Sequence, residues 1–315
     1  MMVNSKINPN LFIIYSACLF FIIFRLFIFN EDLLSKTFGL TFLVGLFFLI
    51  DKKTVLLCLD KILIVFIFHL IFSQLLIFLD IGIYQIIYSS REVVDVFRSN
   101  KFFFPEASYL ARVSALLGTA IYLNKDKLRK WKPKVIFLGL MCASTLSITG
   151  IILGSILIFL VLNNLQKFLY ITAATVIFLL IYNGFLTLPG RLSLIQSIVN
   201  SGQIFQILND SSFAYRIENF LFFIRESFTS FSFVGVETNS YTESLFGYFS
   251  FGFLGTAVII FILLNLLVAI LFGNILVALI GFLLIFFDTF TYPPFLIFIW
   301  CLANDNLGKI KSLMS

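Results

Sequence analysis

The chain has 315 residues, 60% of them hydrophobic and only 12% charged, with a formal net charge of +6. Soluble domains carry about a quarter charged residues, so this composition argues against an ordinary water-soluble domain. Apolar runs near twenty residues recur along its length without the two-residue alternation of barrel strands. That pattern predicts an all-α, polytopic integral membrane protein.

In chain order the candidate spans are Leu11–Phe29, Leu33–Ile50, Ile62–Ile81, Glu106–Leu123, Val135–Ser147, Ile151–Leu162, Phe168–Leu188, Ser244–Phe272, Ile275–Phe287 and Pro293–Ala303. They make about ten transmembrane helices in a single membrane domain covering 1–315. The first is read as an uncleaved span, because Tyr15 does not suit a lipoprotein box and little apolar sequence precedes it. The single histidine, His69, falls mid-helix and reads as an interior residue. Cys18, Cys58, Cys142 and Cys301 are widely spaced, so no metal or cofactor is expected.

Lysine and arginine in short loops set the orientation. Asn124–Lys134 holds Lys125, Lys127, Arg129, Lys130, Lys132 and Lys134 against one acid, Asp126, and is placed in the cytoplasm. Twelve of the thirteen bases then lying inside are lysine, and seven of the nine outside are arginine. Lysine suffices for anionic headgroups, whereas arginine's planar fork suits bidentate phosphate or carboxylate.

Val135–Leu162 is long for one span and short for two. The cluster Ser144, Thr145, Ser147, Thr149, Gly150, Gly154 and Ser155 at its centre predicts two short helices around a broken or re-entrant turn lining a cavity. Upstream, Pro105 can open a helix and Glu106 complements its first turn. Ser108, Arg112, Ala115 and Thr119 follow as one stripe descending that span. An arginine so deep is costly to expose to lipid and is expected to face a wet cavity or a partner.

The segment 189–243 is expected to be one large extracytoplasmic loop. It holds Arg191, Arg216 and Arg225, five acids and no lysine, and long loops of this kind carry function. Asp210, Ser211 and Ser212 are N-cap candidates for a helix running to about Ser227. On it Arg216 and Arg225 oppose each other, while Glu218 shares the face of Arg225. Arg216 is therefore the expected ligand contact and Arg225 the more structural residue. Beyond the turn at Gly235, Glu237, Asn239 and Tyr241 have the groups that contact sugar hydroxyls.

Several of these segments together resemble one family. They are Phe104-Pro105-Glu106-Ala107-Ser108-Tyr109 opening a span, the break near Thr145–Gly150, Arg216 after Ser-Ser-Phe-Ala-Tyr, the turn at Gly235, and the Gly252–Gly255 helix. Over about residues 10 to 303 the chain resembles the O-antigen polymerases of bacterial surface-polysaccharide assembly, which are related to the O-antigen ligases. It departs from the family's pattern at Ala107, where relatives often have proline, and at Gly235-Val236-Glu237, which replaces Gly-x-Gly.

The resemblance implies a multi-pass protein of the bacterial inner membrane. Such an enzyme polymerises undecaprenyl-diphosphate-linked oligosaccharide repeat units at the outer face, without metal or nucleotide sugar. Its implied partners are that lipid-linked oligosaccharide, membrane lipid and a chain-length regulator protein, with no nucleic acid. Displacing a lipid diphosphate needs charge stabilisation on the leaving group, assigned to Arg112 and Arg216. A carboxylate beside the attacking hydroxyl is assigned to Glu106 or Glu237. Arg191, Arg225, Ser108, Tyr109, Asn239, Tyr241 and Glu218 are placed around the substrate. An O-antigen ligase and a lipid-linked oligosaccharide flippase remain alternatives. The large loop has no histidine of the kind ligases tend to carry there, and no internal repeat supports a flippase.

Overall fold

The computed structural model describes residues 52–79, 107–145, 147–183, 252–286 and 293–314, with the single positions Ser16, Phe20, Gln196, Ser201, Leu221 and Arg225. Among the described residues every regular element is a helix and there is no strand, so the all-α class holds. In order they are α1 (Lys52–Leu79), α2 (Ala107–Leu123), α3 (Trp131–Ser144), α4 (Ile148–Val161), α5 (Asn164–Tyr182), α6 (Gly252–Leu271), α7 (Ile275–Phe286) and α8 (Pro293–Met314). Among the same residues no helix is long and apolar enough to cross a membrane.

Two boundaries differ most from the sequence expectation. α1 starts ten residues before Ile62, because Val55, Leu59 and Phe66 bury one face and carry the helix through Asp60 and Lys61, which stay exposed. α8 runs eleven residues past Ala303, through Lys309 and Lys311. Hydropathy marks only the apolar part of a helix, whereas backbone hydrogen bonding continues wherever the chain has a packed face or good helix formers.

The chain divides into two compact units, one of Met1–Val65, Thr119–Trp131 and Asn219–Ser315, the other of Phe66–Gly118 and Lys132–Glu218. In the first unit α6, α7 and α8 bury Ile259, Ile262, Leu266 and Ala269 with Val277, Ile280, Leu284, Phe295, Phe298 and Leu302. A glycine ends α6. Gly273 takes φ +77°, and the amides of Gly273 and Asn274 return to Ile270 and Ala269 at 2.9 and 2.8 Å, the paired bonds of a Schellman end. Gly281 lets α7 rest on α6, since a Cβ there would overlap Leu266.

One polar clasp joins the ends of these helices. Asn306, only 2% exposed, donates through Nδ2 to the Asn265 carbonyl at 2.9 Å and to Asn265 Oδ1 at 3.1 Å. Asn274 donates to Asp305 at 3.2 Å, and Asp305 pairs with Lys309 at 2.8 Å. Removing a buried donor strands its acceptors, at ~1–3 kcal/mol, while a part-exposed ion pair contributes ~0–1 kcal/mol. Asn306→Ala is accordingly expected to lower the thermal midpoint of the purified chain clearly, and Lys309→Ala hardly at all. Equal shifts would show that the buried pair does not hold α8 to α6.

In the second unit α3 and α4 form an antiparallel hairpin, as the polar break predicts. Close approach of small residues makes it. A Cβ on Gly154 would stand 2.5 Å from the Gly139 carbonyl oxygen, and one on Gly139 would stand 2.8 Å from Ile158. α5 then starts at a reciprocal cap. The Gln166 amide donates to Asn163 Oδ1 at 2.8 Å, and the Asn163 amide to Gln166 Oε1 at 3.0 Å. This cap starts α5 four residues before the predicted Phe168.

Candidate functional site

The tip of the α3–α4 hairpin is built by hydroxyls. Thr145 Oγ1 donates to the Cys142 carbonyl at 2.7 Å and lies 3.0 Å from Ser147 Oγ. A hydroxyl carries one hydrogen, so Ser147 is the donor to Thr145. Ser147 in turn caps α4, accepting the Gly150 amide at 2.9 Å from an extended backbone. Ser144 donates to the Met141 carbonyl at 2.9 Å. Three hydroxyls of this Ser/Thr/Gly cluster satisfy the helix ends that the break exposes.

α2 lies along this hairpin. Cys142 Sγ donates to the Ala111 carbonyl at 3.1 Å, near the tip. Further down, a Cβ on Gly118 would meet Leu157 at 2.9 Å and Leu138 at 3.6 Å. Ala111 therefore marks the tip end of α2 and Gly118 the base. Arg112, the next residue after Ala111, stands within ~1.5 Å of the same height along the axis. It is buried, at 3% exposed, as are Ala115 and Thr119 of its stripe. α2, α3 and α4 contain no acidic residue.

Of the other predicted site residues, Glu106, Arg191, Arg216, Glu218, Glu237, Asn239 and Tyr241 lie outside the described residues, as do the side chains of Ser108 and Tyr109. Leu221 and Arg225 are helical and exposed, positions that fall within the helix expected up to Ser227. The structure thus brings one of the predicted residues, Arg112, to the hairpin. Among the described residues no group of His, Cys, Asp or Glu could hold a metal ion.

Sequence reasoning missed the thiol contact from Cys142, the Asn265–Asn306 clasp and the role of the glycines. Gly150-x-x-x-Gly154 was a readable signal, since small residues four apart let two helices approach closely. Nothing local in the sequence pairs residues 142 and 111 or 306 and 265. Against family models, curated proteins and solved structures the chain has no match.

Proposed function

We propose that this chain is a multi-pass glycosyltransferase of the bacterial inner membrane. It joins undecaprenyl-diphosphate-linked oligosaccharide repeat units into a surface polysaccharide at the outer face, in the manner of the O-antigen polymerases it resembles. The observation that carries the reading is Arg112, buried at the height of the tip of a broken helical hairpin. A buried guanidinium supplies two parallel donors to a diphosphate leaving group, and in a water-poor site they act at low dielectric.

The membrane setting has its own support. Every residue of α5 from Ile171 to Leu180 is exposed, including Phe178 at 55%. A helix apolar and exposed on all faces suits lipid and not water. α6 has 20 residues and no charged side chain, which at ~1.5 Å per residue is close to the ~30 Å hydrocarbon core. That stands against the lack of a qualifying span among the described residues. Length, absence of charge and exposure of apolar side chains are the properties lipid selects. α3 and α4, with 14 residues each, reach only ~21 Å, the length of a re-entrant pair with its tip inside the membrane.

In this reading Arg112 and Arg216 take the charge that develops on the diphosphate. Glu106 or Glu237 receives the proton of the attacking hydroxyl, and Arg191, Arg225, Ser108, Tyr109, Asn239, Tyr241 and Glu218 surround the sugars. The test is a deletion strain examined on a glycan ladder. Surface glycan capped at a single repeat unit, returned to full length by the intact gene, is the expected result. Complete loss of surface glycan, with single units still made inside, would assign the chain to flipping instead.

A further inference from the structure

The turn between α2 and α3 is held from within. Asn124, 6% exposed, donates through Nδ2 to the Ala120 carbonyl at 2.9 Å, and its own carbonyl accepts the amides of Lys127 and Leu128 at 2.9 and 3.1 Å. Leu128 is tucked in at 8% exposed. Lys130 takes φ +52° to reverse the chain into α3. With its interior pinned, the turn presents Lys125, Lys127, Arg129 and Lys130 outward, all exposed, against one acid, Asp126.

An aromatic pair sits where the charged turn meets the apolar helices. Tyr122 and Trp131 meet edge to face with centroids 5.8 Å apart, and Lys125 Nζ lies 4.9 Å from the Tyr122 centroid. Tyrosine and tryptophan collect at the boundary between hydrocarbon and headgroups, with cations just beyond them. Because the turn is braced, its four cations form a preset array and lose little conformational freedom on meeting a planar anionic surface.

We infer that the Asn124–Trp131 turn is a docking surface for anionic phospholipid headgroups, with Tyr122 and Trp131 setting its depth. The surface rests on the membrane reading and is independent of the polymerisation reaction. Nucleic acid is the less fitting polyanion, because the two rings are turned edge to face against each other instead of offering a stacking plane.

The probe is an equimolar mixture of phosphatidylglycerol and phosphatidylcholine, presented to the full chain in neutral detergent and read by native mass spectrometry. Cations held near an anionic surface attract its headgroups, so the wild type is expected to retain phosphatidylglycerol over phosphatidylcholine by ~tenfold or more. The variant Lys125→Gln, Lys127→Gln, Arg129→Gln, Lys130→Asn loses that preference, asparagine being chosen for the positive φ at position 130. Lys309→Gln with Lys311→Gln keeps it. If the turn variant does not fold, a salt series on the wild type decides, the preference collapsing as the Debye length falls from ~10 to ~3 Å. Equal retention of the two lipids, a preference unmoved by salt or by the turn variant, or tighter binding of a short single-stranded DNA would overturn the proposal. A chain that stays in solution without detergent would overturn the membrane reading itself, whereas a polymerisation defect absent from the deletion strain would leave the lipid preference untouched.

Discussion

Replacing Arg112 by alanine, at matched membrane abundance, is expected to cut glycan extension by a hundred-fold or more and leave a ladder dominated by one repeat unit. The magnitude follows from losing one charge-stabilising contact to a developing leaving group, ~3 kcal/mol. Arg112→Lys is expected to recover little, because lysine keeps the charge and loses the fork. A purely structural arginine behaves differently, lowering protein level while each surviving molecule makes chains of normal length. Abundance by immunoblot and chain length by gel therefore separate the two roles. Full-length chains from Arg112→Ala at normal abundance would remove Arg112 from the chemistry and with it the observation on which the functional reading stands.

The second large effect is expected at the hairpin glycines. A Cβ on Gly150 would overlap Thr145 Oγ1 and the Cys142 carbonyl oxygen, and on Gly154 it would stand 2.5 Å from the Gly139 carbonyl oxygen. Backbone atoms cannot swing aside as a flexible side chain does, so the two helices must part. Overpacking of this kind costs ~1–3 kcal/mol or more, and parting also pulls Ser147 Oγ away from Thr145 Oγ1 across the break. Gly150→Ala and Gly154→Val are expected to lower the thermal midpoint and the yield of folded chain steeply. Gly308 is the contrast, since a Cβ there meets nothing within 4 Å. In mid-α8, Gly308→Ala is expected to stabilise by ~1 kcal/mol through helix propensity. Thermal melts of the three variants side by side would check the hairpin. A neutral Gly154→Val would mean that α3 and α4 do not approach as described.

Much of the helical layout was readable from local pattern. The starts of α2, α7 and α8 fall within a residue of the apolar runs that predicted them, and the Ser/Thr/Gly cluster correctly divided Val135–Leu162 into α3 and α4. Boundaries failed where a helix outran its apolar stretch, as at Lys52 and Met314. The Asn163–Gln166 box at the start of α5 is legible as a local capping pattern that starts the helix four residues before the apolar run.

The sequence by itself determined the helical class, the break at Thr145–Ser147, the basic turn after α2, and an arginine set deep in an apolar helix. Each depends on residues a few positions apart, where period and capping chemistry act. Only the tertiary structure decided that the break is a closed hairpin whose hydroxyls serve its own helix ends, that Cys142 ties it to Ala111 beside Arg112, and that Asn306 clasps Asn265. Those pairings join residues about thirty to forty positions apart. Such distant partners are chosen by which helix faces can approach closely, and that depends on glycines and volumes on two elements at once, which no single stretch of sequence contains.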